Sequence, residues 1–158
     1  MGEIVPQSKA HTPVTQRTTH EQKIAIRADM TVLEEAMEKH PDKFDLYGQA
    51  IHHFADGMYA RELFMPAGTV ATSLVHKTDH FCFVLYGECD VADEGIGVHR
   101  IKGPCMLKTT AGTKRALNII TDSLWVGVYV NPDNITDIDE LVGNLTSTGY
   151  LQPLDDEE

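Results

Sequence analysis

The stretch "PAGTVATSLVHKTDHFCFVLYGE", residues 66–88, decides the fold. It opens on a Pro-Ala-Gly turn and closes on a glycine and a glutamate after an apolar run. Successive side chains of a strand point to opposite faces of a sheet, so this run presents two faces. One face holds Leu74, His76, His80, Cys82 and Val84, and the other holds Phe81, Phe83 and Leu85. Both faces are apolar over residues 81–85, so one must fill a core and the other must be covered by a second sheet or another subunit.

Short strand candidates separated by turns lie on both sides of this stretch. They are "YARELFM" (59–65), "VHRIK" (98–102) after the hairpin turn "DEGIG" (93–97), and the alternating "DSLWVGVYVNP" (122–132). In the last strand one face holds Leu124, Val126, Val128 and Val130, and the other holds Trp125, Gly127 and Tyr129. Several short strands at regular spacing predict a small antiparallel barrel.

The chain divides into four parts. Residues 1–28 are polar and without periodicity, which predicts an extended N-terminal arm, and residues 29–57 form a helical lead-in. In the lead-in, Thr31 and Glu34 have capping-box spacing and a helix ends at Pro41. The barrel covers 58–131, and a short helix with an acidic tail covers 132–158. The apolar residues of that last helix share one side: Ile135, Ile138, Leu141, Val142 and Leu145.

Composition narrows the class of protein. The 158 residues suit one domain, and a formal net charge of -11 argues against a surface that neutralises phosphates, so we expect no nucleic-acid partner. No apolar run approaches the roughly 18 residues that span a bilayer, and the N-terminus lacks the apolar region of a signal peptide. We therefore expect no membrane partner and a cytoplasmic location. Cys82, Cys89 and Cys105 form no C-x-x-C pair, which predicts three reduced thiols.

The sequence resembles the cupin superfamily over about residues 58–131. The first cupin motif runs from a glycine through H-x-H and an acidic position to a second glycine, and Gly68 and Gly87 match its ends. The stretch "TAGTKRALN" (110–118) is similar to the second motif, P-x-G-x-x-H. The chain further resembles small single-domain cupins that bacteriophages encode. The resemblance implies a mainly β protein, a double-layered antiparallel jelly-roll barrel that forms homo-oligomers, here with an extended arm and short flanking helices.

Metal-binding cupins hold their ion with three histidines and one carboxylate that point into the barrel. Carried over onto this sequence, those four positions are Leu74, His76, His80 and Arg115. The phage relatives often place a further histidine four residues after a tryptophan in the last strand, and that position is Tyr129 here. Two imidazoles therefore remain, whereas a catalytic metal generally needs three protein ligands and an open position.

Three interpretations of this interior stay open. In the first, His76 and His80 bind iron, manganese, nickel or zinc, and Tyr129 or Cys105 completes the site. In the second, the histidines are structural. In the third, Arg115 and Tyr129 bind a small anion without a metal. Because a permanent charge at Arg115 disfavours a nearby cation, we expect no cofactor, with a divalent metal as the alternative.

The function that we expect is that of a non-enzymatic module that assembles with itself and with other proteins, as an accessory or structural component of a phage particle. The incomplete ligand set, the two-faced apolar strand and the polar arm favour it. Its location would be the host-cell cytoplasm and the virion. One alternative is a metal-dependent enzyme, a dioxygenase or an isomerase, that uses His76 and His80. Another is a metal-free sensor of a small anion that binds through Arg115.

Overall fold

The computed structural model describes residues 17–151 and 154. In that range the elements are α1 (His20–Lys39), a 3-10 helix (Tyr47–Gln49), β1 (Ile51–Ala55), β2 (Met58–Met65), β3 (Val70–Thr72), β4 (Val75–His76), β5 (His80–Tyr86), β6 (Glu88–Asp93), β7 (Gly97–Lys102), β8 (Cys105–Thr109), β9 (Arg115–Ile119), β10 (Ser123–Val130), α2 (Ile138–Leu145) and β11 (Thr146–Ser147). Neither α-helix in these residues is long and apolar enough to cross a membrane.

Two antiparallel sheets face each other across the core. The first has the strand order β1-β2-β10-β5-β8, and the second has the order β3-β9-β6-β7. Strands far apart in the chain are neighbours, as β2 is with β10 and β3 with β9. The short strands β4 and β11 form a separate pair. Two facing antiparallel sheets joined by such crossing connections form a double-layered jelly roll, so the predicted fold class is confirmed.

The inner faces of both sheets supply one hydrophobic core. Its members from the five-stranded sheet include Leu63, Met65, Cys82, Val84 and Trp125, and those from the four-stranded sheet include Cys89, Val91, Ile101, Leu117 and Ile119. Along β5 and β10 every second side chain is buried, which confirms the predicted faces of both strands. The three cysteines are free thiols, as predicted.

Two glycines shape the ends of the stretch 66–88. Gly68 has a φ of 82° and Gly87 a φ of 98°, values that side chains of L-residues rarely allow. At Gly87 a Cβ would also lie 2.0 Å from the Ser123 hydroxyl. The turn that carries the chain from β5 in one sheet to β6 in the other therefore requires glycine.

Helix α1 begins earlier than the sequence analysis predicts. The Thr19 hydroxyl accepts a hydrogen bond from the Gln22 N–H at 3.2 Å, and the Gln22 side chain accepts one from the Thr19 N–H at 2.8 Å. This pair is the capping box. The predicted box at Thr31 and Glu34 is wrong, because Thr31 lies inside the helix and its hydroxyl donates to a carbonyl one turn earlier. The helix does end just before Pro41, as predicted.

Two predicted boundaries also differ from the structure. Residues 20–28, predicted to be extended, are helical, and residues 1–16 of the predicted arm lie outside the described residues. The segment 29–57 is not helical throughout, because β1 pairs with β2 along its whole length. The sheet therefore begins before residue 58. Strand β1 has mostly exposed side chains, so it lacks the apolar alternation that identifies a strand in a sequence.

Charged contacts fix α1 beside the four-stranded sheet. The Arg27 guanidinium donates to the Glu94 carboxylate at 3.0 Å, in the turn between β6 and β7. The Glu34 carboxylate pairs with the buried Lys114 ammonium at 2.6 Å and accepts a hydrogen bond from the Thr72 hydroxyl at 2.9 Å. The packed side of this helix thus depends on ion pairs as well as on apolar residues.

Helix α2 packs against Tyr59 and Tyr129 at one end of the barrel. Leu141 and Leu145 are buried against Tyr59 and Tyr129 of the five-stranded sheet, which confirms the predicted apolar side of this helix. The strand that follows α2 then pairs with β4. Of the predicted acidic tail, residues 152, 153 and 155–158 lie outside the described residues.

Candidate functional site

The barrel interior changes from apolar at one end to polar at the other. The strand register places the polar inward side chains together, with Tyr59 opposite Tyr129, His80 opposite Thr109 and Asp93 opposite Arg115. His76 and Arg61 join them from β4 and β2, and we call this group the polar end.

Three of the predicted site residues stack at the polar end. The ring centroids of the buried His76 and His80 lie 4.2 Å apart, and those of His80 and Tyr129 lie 4.5 Å apart with planes inclined by 25°. The Tyr129 ring folds back over Gly127, where a Cβ would lie 2.5 Å from the Tyr129 hydroxyl. The structure therefore brings these three residues together, and the lack of a side chain at residue 127 makes room for the tyrosine.

Arg115, the fourth predicted site residue, also points inward. Its Nη1 donates to the Thr109 hydroxyl at 2.7 Å, and its Nε lies 3.8 Å from the Asp93 carboxylate. Both neighbours are buried. The chain itself thus holds the guanidinium through Nη1, while the buried Nε has no hydrogen-bond partner among the described residues.

The two histidines are neutral at pH 7. Burial, and after it the neighbouring His80, Arg61 and Arg115, lower the pKa of His76 to about 3. Burial, aided by the two guanidiniums, lowers the pKa of His80 to about 4. The Nδ1 atoms of both rings are buried without a hydrogen-bond partner among the described residues. Burial also raises the pKa of Tyr129 to about 12, so its hydroxyl stays protonated.

A cavity of about 330 Å³ opens beside the polar end. Its polar walls are Tyr47, His52, Arg61, His76 and Thr146, its apolar walls are Leu74, Ile138 and Val142, and Asp45 and Asp139 line it with exposed carboxylates. The Arg61 Nη2 donates to the Tyr129 hydroxyl at 3.1 Å, and its Cζ lies 5.1 Å from the centre of the Tyr47 ring. The ion pairs found among the described residues do not include Arg61.

The sequence analysis missed Arg61 and assigned no site role to His52. Arg61 occupies an inward position of β2, between Tyr59 and Leu63, so period-two alternation in "YARELFM" was the signal that could have found it. His52 lies in β1, where its Nδ1 is 2.8 Å from the Tyr59 hydroxyl. These residues add a second guanidinium and a third imidazole to the polar end.

The described residues do not fit the metal site that the resemblance implies. No group of three or more His, Cys, Asp and Glu side chains among them is placed to hold a metal ion. Leu74, at the first histidine position, is exposed and lies outside the strands. Two neutral imidazoles supply half of the usual ligand set, and the charges of Arg61 and Arg115 oppose a cation. The electrostatics of the polar end suit an anion better than a cation.

The outer face of the five-stranded sheet is a second candidate surface. Its exposed large hydrophobic residues are Ile51, Met58, Phe64, Phe81, Leu85, Met106 and Val130. We call this surface the outer apolar face. Its ionisable groups are paired within the chain, Glu62 with His53 at 3.1 Å and Lys108 with Asp79 at 2.9 Å. Phe81 is 49% exposed, so no described part of the chain covers the second face of the stretch 66–88.

The outer face of the four-stranded sheet is charged instead. Arg100 pairs with Asp90 at 2.5 Å, and Lys102 pairs with Glu88 at 2.7 Å. Each of these residues is opposite its partner in the register of β6 and β7. This face has the character of an ordinary solvated surface.

Comparison with known proteins gives a likeness of fold. The sequence matches no protein-family model and no curated protein. Similar solved structures include a protein from Neisseria meningitidis (13% identity, 60% of this chain and 96% of that chain, TM-score 0.47). Another is a cupin-2 domain containing protein from Shewanella frigidimarina (10% identity, 72% of this chain and 100% of that chain, TM-score 0.45). A third is a cupin superfamily protein from Desulfitobacterium hafniense (11% identity, 55% of this chain and 82% of that chain, TM-score 0.44). Scores this low carry no argument about activity or assembly. By its own strand order and register, the chain is a double-layered antiparallel jelly-roll barrel.

Proposed function

We propose that this chain is a non-enzymatic module that assembles with a second copy of itself through the outer apolar face. The observation that carries the proposal is the continuous set of exposed hydrophobic side chains on the five-stranded sheet. Soluble monomers rarely expose contiguous apolar patches of more than a few hundred Å². Two sheets that pack face to face bury such surfaces together.

The size of the outer apolar face suits a stable interface. Strands β2 and β10 each have 8 residues, which corresponds to a length of about 27 Å. Five strands at about 4.8 Å spacing span about 24 Å. Because β1 and β8 have 5 residues each and β5 has 7, the face covers on the order of 500 Å² in projection, the same order as the roughly 800 Å² of accessible surface that each partner buries in a standard interface.

Charge favours a second copy as the occupant. The chain carries a formal net charge of -11, so two copies repel each other wherever their acidic surfaces meet. On the outer apolar face, however, Glu62 and Lys108 already pair with residues of their own chain. A partner that covers this face needs an apolar surface of the same extent whose few ionisable groups are already paired, and another copy offers one.

Substitution of Phe81 tests the proposal. We expect Phe81→Lys to weaken self-association at least about 100-fold, because it places a charge in an apolar interface beside Lys108. The matched control is Val98→Lys on the outer face of the four-stranded sheet, where the side chain is 76% exposed, and it should leave association unchanged. Light scattering after size exclusion gives the mass of each variant. Equal masses for both variants would refute the role of the outer apolar face.

The resemblance to small phage cupins supports one setting for this assembly. We propose on that ground that the assembly is part of a bacteriophage particle, to which the copies contribute as an accessory component. Purified particles provide the test, since mass spectrometry should detect the chain in stoichiometric amounts relative to a known particle protein. Its absence from particles that infect normally would overturn this setting and leave the self-association to be judged separately.

A metal-dependent enzyme is the second candidate function. The ligand set described above is incomplete, and the one observation that favours this function is that the Nδ1 atoms of His76 and His80 are buried without hydrogen-bond partners among the described residues. Elemental analysis of protein purified without chelator tests it, compared with the His76→Ala/His80→Ala variant. Near-stoichiometric metal that disappears in the variant would establish a metal site. Equal, trace metal in both proteins would exclude one.

A further inference from the structure

We infer that the cavity beside the polar end binds a small monocarboxylate, whose carboxylate pairs with Arg61 and whose apolar body lies against Leu74, Ile138 and Val142. This site is separate from the outer apolar face. Arg61 points inward from β2, whereas the exposed Met58 and Phe64 of the same strand point outward. The inference therefore does not depend on self-association.

The Arg61 guanidinium has donors to spare for such a ligand. A guanidinium carries five N–H donors in a planar fork that matches the two oxygens of a carboxylate. One hydrogen bond of this group is to the Tyr129 hydroxyl, and the guanidinium also lies over the Tyr47 ring. Tyr129 and Tyr47 thus act as positioning residues that hold the fork toward the cavity.

Arg61, rather than the predicted Arg115, is the guanidinium that has no carboxylate partner among the described residues. Arg115 already donates to Thr109 and lies beside the Asp93 carboxylate, with a side chain that is largely buried. It also does not line the cavity, whereas Arg61 does. The structure therefore moves the expected anion site from the second cupin motif to strand β2.

The two histidines of the cavity wall do not compete with a carboxylate for Arg61, and the Asp45 and Asp139 carboxylates are exposed to solvent, which screens them. Burial lowers the pKa of both His52 and His76, and Arg61 lowers both further; the pKa of His76 falls to about 3, so that ring is neutral at pH 7. Neutral imidazoles neither repel a carboxylate nor neutralise the guanidinium. The ligand then exchanges its hydration for a charge-assisted pair at the inner end of a partly apolar cavity.

The size and the acidic lining of the cavity define the class of ligand. A volume of about 330 Å³ lies at the lower end of the roughly 300–1,000 Å³ of small-molecule sites, and it therefore suits a small ligand. Asp45 and Asp139 oppose negative charge on any ligand, and the single charge of a monocarboxylate meets less of this repulsion than two charges would. A monocarboxylate with an apolar body fits these walls better than a phosphate or a dicarboxylate does.

Titration calorimetry with benzoate and hexanoate as probes tests the inference. We expect both to bind the full chain, and we expect benzamide, the uncharged analogue of benzoate, and inorganic phosphate to bind at least tenfold more weakly. Arg61→Gln should weaken benzoate binding by about 10- to 100-fold, as expected for loss of a charged hydrogen-bond donor. Arg100→Gln, on the charged outer face, should leave it unchanged. Failure of both probes to bind, equal binding of benzamide or phosphate, or an unaffected Arg61→Gln would each overturn the inference.

A second variant keeps the test valid if Arg61→Gln does not fold. Val142→Phe, on α2, fills the cavity with an aromatic ring without removing the guanidinium. It should abolish benzoate binding while the melting temperature without ligand stays near that of the natural chain. Undiminished benzoate binding by Val142→Phe would place the ligand elsewhere and overturn the inference. Because the masses of the variants are measured separately, a failure here is distinguishable from a failure of self-association.

Discussion

The two sheets of the barrel distribute polar and apolar residues in opposite ways. The four-stranded sheet has the ordinary arrangement along most of its length, with Val91 and Ile119 inside and the Arg100–Asp90 pair outside, and it contributes only Asp93 and Arg115 to the polar end. The five-stranded sheet is apolar outside and, at one end, polar inside, where His80 and Tyr129 stack. Sequences break the usual pattern mainly where function requires it. The comparison therefore assigns stability to one sheet and candidate binding surfaces to both faces of the other.

The largest expected effect on folding concerns the inner face of the four-stranded sheet. Val91→Ala should lower the free energy of unfolding by about 2–3 kcal/mol, because Val91 is 0% exposed and its loss leaves a cavity. Val98→Ala, in the partner strand on the outer face, is the matched control and should change it by less than about 0.5 kcal/mol. Urea denaturation of both variants measures the difference. Equal losses would show that the two faces of this sheet do not differ as described.

An acid-dependent loss of stability should mark the inner face of the five-stranded sheet. The pKa of His80, about 4 in the folded chain, lies below its ordinary value of 6.5. Between these values the unfolded chain binds the proton and the folded chain does not, so stability falls as the pH falls. His76, with a pKa of about 3, acts in the same direction, so the natural chain should lose on the order of 5 kcal/mol between pH 7 and pH 4, and His80→Gln should remove about half of that loss. Urea denaturation across this range gives both slopes.

The same experiment contains its own control. Ion pairs lower the pKa of Asp79, Glu88 and Asp90, so acid destabilises the natural chain and His80→Gln equally through these carboxylates, and the difference between the two profiles isolates His80. Above pH 7 the natural chain and His80→Gln should show parallel profiles. Identical slopes below pH 6.5 would contradict a buried, neutral His80.

The smallest effect is expected on the outer face of the four-stranded sheet. Arg100→Gln removes a partner of Asp90 and Glu88 in an exposed, solvent-screened network. The melting temperature should stay within about 2 °C of the natural value, and the mass in solution should not change. Calorimetric melting checks the first and light scattering the second. A fall of more than about 5 °C would mean that this charged face carries part of the stability.

The sequence was informative where alternation alone determines the structure. The run 81–85 is apolar on both faces, and the alternation of a strand places Cys82 and Val84 together on one of them. The structure confirms that this face points into the core. The sequence was less informative where charged residues pack. The buried side of α1 includes Arg27 and Glu34, so an apolar stripe did not reveal where the helix begins.

The cavity could not be predicted from the sequence at all. Its walls come from the 3-10 helix, β1, β2, β4 and α2, elements brought together only by the closed barrel. Arg61 was identifiable as an inward charge, but whether it has a carboxylate partner depends on tertiary contacts. The motif comparison pointed to Arg115 because that residue occupies a known ligand position, and the structure instead shows Arg115 beside Asp93.

Sedimentation velocity of the natural chain from about 1 to 100 µM tests the central claim most directly. If the outer apolar face pairs with a second copy, the sedimentation coefficient should rise to that of a dimer within this range, which corresponds to a dissociation constant in the micromolar range or below. A single species at the 17.5 kDa of one chain throughout would contradict the account.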